Sequence, residues 1–198
     1  MGKRLSLSCN ERRKILNNLK HILLDFDHCL AEYRCDGMAL DSNIIKKYSL
    51  MMDNRFKQMT FEQTSRDGNF WHPSEINAII RYIVSYYKPN KKVLELIKSF
   101  QMIYPNIKIS FASDSPINTI VQFLDLYDID LKIEHYFTWE TLNWKRKKDP
   151  DFYIQIRRSL DINFNEMILI DDSYRNLGIF ENLGGQIFNV PATDNFTI

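Results

Sequence analysis

Cysteine is scarce in this chain. There are three, Cys9, Cys29 and Cys35, an odd number without C-x-x-C spacing. That argues against a disulfide framework or a structural zinc, and it points to a reducing, cytoplasmic compartment. The four histidines, His21, His28, His72 and His135, are scattered and have no metal-ligand spacing. No apolar run approaches the length of a membrane span, and no apolar signal region follows the basic stretch Met1–Arg4. Neither sign of charge dominates. A net charge of +1 gives no electrostatic case, at the level of the whole chain, for binding nucleic acid. Internal repeats and low-complexity segments are absent too.

What is present suits a sizeable core. The chain has 198 residues and is 44% hydrophobic, enough for one large domain or one domain carrying an insertion. It is organised around His21-Ile22-Leu23-Leu24-Asp25-Phe26-Asp27-His28-Cys29-Leu30. The apolar run Ile22–Leu24 is the length of a buried strand, and it stops at two carboxylates two residues apart. On a strand, that spacing puts Asp25 and Asp27 on one face. At the carboxyl end of a parallel strand they would project into the crevice where open α/β sheets bind ligands. Like charges so close call for a cation between them or a retained proton. The competing reading is a strand followed by an Asx-rich turn. Cys29, beside them, is either a thiol nucleophile or a small residue packed under the turn.

Along the chain, Asn10–Lys20 reads as a short basic helix and His21–Phe26 as the first strand. Residues 31–87 then break the strand-helix rhythm. Cys35-Asp36-Gly37 signals a turn, and two helical stretches follow, Ser42–Met52 and Ser74–Tyr87. Between these lies a polar piece, Thr60–Asn69, ending at Phe70 and Trp71. No convincing core strand appears in the interval, which predicts a small helical insertion over the strand ends. Phe70 and Trp71 either stack on a ring of the ligand or fill the insertion's own core.

Regular alternation resumes at Lys91. A helix over Lys91–Met102 leads to a strand over Ile107–Ala112, which ends in Ser113-Asp114-Ser115-Pro116. Pro116 starts a helix to about Tyr127, and a third strand spans Leu131–Phe137. The densest charge run, Lys145-Arg146-Lys147-Lys148, leads into Asp149-Pro150-Asp151 and a helix. It is either a solvated loop or the source of an anion clamp. A fourth strand, Met167–Ile170, ends in Asp171-Asp172-Ser173 and repeats the grammar of the first. A helix over Ser173–Leu183 is closed by Gly184-Gly185, and Gln186–Val190 is a fifth strand. Strands alternating with helices, each ending in polar chemistry, predict an α/β fold: a Rossmann-like, doubly wound parallel sheet.

With these four polar clusters in this order, the chain resembles the haloacid-dehalogenase-like (HAD) hydrolase superfamily over nearly its whole length. Asp25-Phe26-Asp27-His28-Cys29-Leu30 matches the family's D-x-D motif, and Ser113 its strand-ending hydroxyl. Lys147-Lys148-Asp149-Pro150-Asp151-Phe152-Tyr153 is similar to K-P-D-P-x-x-Y, with Lys147 as the motif lysine. Ile170-Asp171-Asp172-Ser173-Tyr174-Arg175-Asn176 matches the acidic pair, with Asp172 as the usual metal carboxylate. Four motifs in order on the right elements make a specific signal. The resemblance implies sheet order 5-4-1-2-3, a catalytic core over residues 1–30 and 91–198, and a helical cap over 31–90. The nearest subgroup resembles pyrimidine 5′-nucleotidases.

The resemblance also implies a chemistry. Mg²⁺ would be held by Asp25, Asp172 and the backbone carbonyl of Asp27, with Asp171 near the ion or the lysine. Asp171 could equally be a helix N-terminal acid favoured by the dipole. Asp25 would be the nucleophile, Asp27 the general acid and base, and Lys147 a second source of positive charge. Ser113, Asp114, Lys147 and Lys148 would meet the substrate phosphate. Two departures stand out. Asp114 replaces the usual Asn, and should weaken anion binding unless it turns away or holds a neighbour in place. Lys148 replaces the usual Pro. The implied activity is a Mg²⁺-dependent phosphomonoesterase acting through an aspartyl-phosphate on a small phosphorylated metabolite, a nucleoside 5′-monophosphate first. The alternatives are a weak or inactive binding module on the same scaffold, or a sugar-phosphate phosphatase or mutase.

Overall fold

The computed structural model describes residues 18–33 and 73–191. The expected helix Ser42–Met52, the polar piece Thr60–Asn69, and Phe70 and Trp71 lie outside the described residues. So does most of the expected helix Asn10–Lys20; its last residues, 18–20, are not helical but lead into the first strand.

Strand β1 (His21–Leu24) is buried along its whole length. It lies between β4 (Lys108–Ala112) and β6 (Met167–Asp171), parallel to both, with Leu24 opposite Phe111 on one side and Ile170 on the other. Strands β5 (Ile133–Phe137) and β7 (Gln186–Asn189) close the two edges, giving the order β5-β4-β1-β6-β7. Counted within this sheet alone, that is the expected 5-4-1-2-3. The detail not expected is a second, two-stranded antiparallel sheet of β2 (Ala31–Tyr33) and β3 (Tyr87–Pro89). Strands of three residues are too short to carry a readable alternation, which is why the spacing over Ser74–Tyr87 reads as helix to its last residue.

Alternation along β1 separates two cores, as a strand covered on both faces requires. Ile22 and Leu24 belong to one, with residues from α1 (Pro73–Ser85), α2 (Lys91–Ile103) and α3 (Ile117–Leu126). Leu23 belongs to the other, with Phe152, Tyr153 and Ile156 of α4 (Pro150–Leu160) and Leu177 and Phe180 of α5 (Tyr174–Asn182). Helix α1, expected within the inserted segment, places Ile79, Ile80, Ile83 and Val84 in the same cluster as Ile22.

The helix ends that flank the polar clusters are set locally. Asn90 caps α2 by accepting from Lys92 N and Val93 N at 3.1 and 3.3 Å, and Asp149 caps α4 by accepting from Asp151 N at 2.9 Å. Helix α5 ends in a Schellman turn. Gly184 N donates to Glu181 O at 2.9 Å and Gly185 N to Phe180 O at 3.1 Å, with Gly184 at φ +92°. A Cβ on Gly185 would stand 2.2 Å from the Phe180 ring, so the second glycine is required by packing. The parallel order β4-β1-β6 then leaves Ser113, Asp25 and Asp171 at the carboxyl ends of three neighbouring strands.

Candidate active site

Asp25 follows the last residue of β1. Its N–H extends the ladder to Ile170 O at 2.9 Å, and its side chain is 5% exposed. Asp171 is the last residue of β6 and is fully buried. Between them sits Lys147, whose Nζ lies 2.5 Å from Asp25 Oδ1 and 2.8 Å from Asp171 Oδ2. One oxygen from each of Asp25, Asp171 and Asp172 can be chosen so that all lie within 4.8 Å of one another. At an effective dielectric near 20, like charges at that separation repel by about 3 kcal/mol. Three carboxylates against one ammonium leave two negative charges uncompensated.

The titrations carry that imbalance. Burial raises the Asp25 pKa well above the ordinary carboxylate range; Lys147 opposes the rise, while Asp171 and Asp27 add to it. Burial and Asp171 also raise Asp172. For Lys147, burial alone would favour the neutral amine, but Asp25 and Asp171 outweigh it and hold the ammonium above its usual range. A divalent cation would cancel the excess charge and return the acids to their ionised forms, and carboxylate oxygens suit a hard ion such as Mg²⁺. The donors are unequal. Asp171 Oδ2 is taken by Lys147, Oδ1 accepts from Ser173 N at 2.8 Å, and Asn176 Nδ2 reaches both oxygens at 3.3 Å. Asp171 is thus both a lysine partner and an acid at the start of α5. Asp25 and Asp172 remain the better ligands.

Asp27 does not share Asp25's surroundings, which corrects the expectation of two carboxylates on one strand face. The strand stops at Leu24, and the chain turns through Phe26 before Asp27. His28 follows at φ +57°. Asp27 Oδ1 accepts from the Tyr87 hydroxyl at 3.1 Å and Oδ2 from the Ser115 hydroxyl. Its side chain is outside the three-carboxylate group.

The basic run is sorted by a tight turn in which Asn143 and Trp144 both have positive φ and Trp144 stacks on Trp139. Lys145 pairs with Asp149 and Asp151 at 3.1 and 3.2 Å. Arg146 Nε lies 3.6 Å from Asp114 Oδ2. Lys147 alone turns inward. Lys148 is exposed, and no contact among the described residues joins it to the cluster. Asp114 holds a neighbour in place: its Oδ1 accepts from Lys147 N at 3.2 Å. Ser113 is fully buried, and its Oγ accepts from Ser115 N at 3.1 Å. Cys29 is buried, with its thiol directed at Ile170 O at 3.6 Å; burial pushes its pKa up, so it packs under the turn and is no nucleophile. Sequence reasoning missed Tyr87 and Ser115 as partners of Asp27. Ser115 had a signal, two residues past the motif hydroxyl; Tyr87, 60 residues from Asp27, had none.

Structural comparison bears on this arrangement. A HAD-family enzyme of Bacteroides thetaiotaomicron, solved in complex with magnesium and inorganic phosphate, matches with a TM-score of 0.60 at 15% identity, covering 90% of this chain and 98% of that one. The chain has the fold of HAD-family enzymes. The same HAD fold relates it to CbbY of Rhodobacter sphaeroides, solved in complex with phosphate (TM-score 0.54, 14% identity, 88% of this chain and 87% of that one). It also relates it to an L-2-haloacid dehalogenase (TM-score 0.59, 14% identity, 85% and 82%). No protein-family model matches the sequence, and no curated protein matches it. Among the described residues no helix is long and apolar enough to cross a membrane.

Proposed function

We propose that the chain is a Mg²⁺-dependent phosphomonoester hydrolase that works through an aspartyl-phosphate on Asp25. Its substrate is a small phosphorylated metabolite, with a nucleoside 5′-monophosphate as the class to test first. The observation that carries this reading is Lys147 seated between Asp25 and Asp171 beside Asp172, with Asp27 held apart by two hydroxyls. The magnesium and phosphate in the Bacteroides enzyme support it.

Mg²⁺, held by Asp25, Asp172 and the Asp27 carbonyl, would add the positive charge that lets an anionic nucleophile meet a dianionic phosphate. Lys147 opposes the rise that burial imposes on Asp25, favouring its ionised form, and would meet the phosphoryl oxygens. The Ser113 hydroxyl accepts from Ser115 N, which leaves its own proton to donate to the phosphate. An Asp25 oxygen attacks phosphorus as the ester bond breaks, and Asp27 protonates the departing oxygen. Asp27 then takes a proton from the water that hydrolyses the phosphoenzyme. A dehalogenase has no use for this second acid, because a halide leaves without a proton. Asp27 therefore favours phosphoryl transfer over the dehalogenation named for one structural neighbour. We assign the catalytic core to residues 1–30 and 91–198 and substrate choice to the inserted segment 31–90.

A panel of nucleotides, sugar phosphates and an aryl phosphate, assayed with and without Mg²⁺, tests the proposal. Turnover should require Mg²⁺ and disappear in Asp25→Asn. Absence of turnover across the panel, or full activity in Asp25→Asn, would overturn it.

A further inference from the structure

We infer that Tyr87 and Ser115 are positioning residues that hold the Asp27 carboxyl toward the leaving-group oxygen, an inference that rests on the hydrolase reading above. Tyr87 donates to Asp27 Oδ1 at 3.1 Å and Ser115 donates to Oδ2. A single hydrogen bond leaves a carboxyl group free to turn about its Cβ–Cγ bond. Two donors, one on each oxygen, fix its plane. Each carboxylate oxygen offers two acceptor sites, so this clamp leaves one on each for a proton or a water.

Both donors are themselves immobilised. Tyr87 is 5% exposed. Its ring meets Phe26 edge-on at 5.7 Å and lies 4.8 Å from Tyr33 and 6.2 Å from Phe123. Its backbone pairs with Tyr33 across the β2–β3 ladder, and the Tyr127 hydroxyl donates to its carbonyl. The Tyr33 hydroxyl lies 3.5 Å from that of Tyr87, at the limit for a hydrogen bond. The Tyr87 proton therefore belongs to the nearer acceptor, Asp27 Oδ1. Ser115 is 6% exposed, and its N–H is fixed on Ser113 Oγ. The two hydroxyls are thus aimed before any substrate arrives, the condition under which orientation lowers a barrier.

The chemistry locates where the clamp matters. In the first half-reaction an Asp25 oxygen bonds to phosphorus as the bond to the leaving oxygen breaks. The electron pair goes to that oxygen, which takes the Asp27 proton. Asp27 is left as a carboxylate with both hydroxyl donors in place. In the second half a water oxygen bonds to phosphorus, the Asp25–phosphorus bond breaks, and the water's proton returns to Asp27. A good leaving group departs without help from an acid, and a poor one does not.

The test is kcat/KM in Mg²⁺ over phosphate esters of rising leaving-group pKa, from dinitrophenyl phosphate to a simple alkyl phosphate. Tyr87→Phe should lose about 10- to 100-fold on the alkyl ester and much less on the dinitrophenyl ester. Ser115→Ala should show the same trend, and it carries the test if Tyr87→Phe fails to fold. Adding either change to Asp27→Asn should cost nothing further. An equal loss on every ester would mark Tyr87 and Ser115 as packing residues and overturn the inference, as would no loss on the alkyl ester. Wild-type protein that turns over no ester would overturn the hydrolase reading and this inference with it. A wild type active across the series, beside variants that lose equally throughout, would overturn this inference alone.

Discussion

Asp25 and Asp27 are two residues apart and have opposite surroundings. Asp25 is buried among charges: an ammonium at 2.5 Å, with Asp171 and Asp172 close by. Asp27 is half-buried among hydroxyls, with Tyr87 and Ser115 as its partners. The difference comes from where β1 ends. Because the strand stops at Leu24, the turn through Phe26 separates two carboxylates that a longer strand would have held side by side. One position gathers carboxylates around an ammonium, and the other fixes a carboxyl between two hydroxyl donors. The two carboxyls therefore have different partners, although the charge of Asp27 still reaches Asp25 and adds to the rise in its pKa.

The largest way to break the contrast is to remove its ammonium. Lys147→Met leaves two buried carboxylates and a half-buried third with no cation of the chain's own, and breaking a buried pair costs about 3–5 kcal/mol. Urea unfolding should report a loss of that size, smaller when Mg²⁺ is present, and phosphatase activity should vanish. Stability unchanged in both conditions would mean that the cluster is not held by charge. On the other side of the contrast, Asp27→Asn keeps the shape and both hydroxyl neighbours but cannot cycle a proton. Its kcat should fall about 10²- to 10⁴-fold, and a variant with wild-type kcat would end the assignment of Asp27 as acid and base.

His21, at the opposite end of β1, isolates acid sensitivity from the cluster. It is buried against Ser110 Oγ at 2.8 Å, and burial lowers its pKa to about 4 despite the nearby Glu134. Between about pH 6.5 and 4 the unfolded chain binds a proton at this position and the folded chain does not. Its contribution is therefore fully present above the unfolded pKa and is lost as pH falls toward 4, a loss on the order of 3 kcal/mol. His21→Gln should flatten the stability profile in that window; an unchanged slope would place the acid sensitivity elsewhere. The smallest expected effect is that of Lys148→Ala. Lys148 is exposed, so its removal should change kcat/KM by about twofold or less. A larger loss would mean that Lys148 reaches the substrate after all.

The core architecture was legible because each buried strand is an apolar run that stops at polar chemistry. Ile22–Leu24, Met167–Ile170 and the run ending at Ser113 could be recognised as strands from that alone, while their order in the sheet came only from the resemblance to the HAD superfamily. Lys147 was legible only through its setting before Asp149-Pro150, since nothing in Lys145-Arg146-Lys147-Lys148 separates the inward cation from its neighbours until the turn at Asn143 and Trp144 is formed. Asp114, which by its charge should weaken anion binding, holds the backbone of Lys147 instead, a contact its spacing from the basic run does not announce. What could not be read was the pair of hydroxyls that meets Asp27. Tyr87 arrives from a three-residue strand whose pairing with β2 is set by tertiary packing and leaves no periodic mark.

The most direct test is the Mg²⁺ dependence of the thermal midpoint. A cation bound only by the folded chain stabilises it by about 1.4 kcal/mol for each tenfold excess over its Kd. The wild-type Tm should therefore rise with Mg²⁺, Asp172→Asn should lose most of that rise, and Asp27→Asn should keep it. A wild-type Tm indifferent to Mg²⁺, or an Asp172→Asn variant with the full response, would contradict the charge-cluster account.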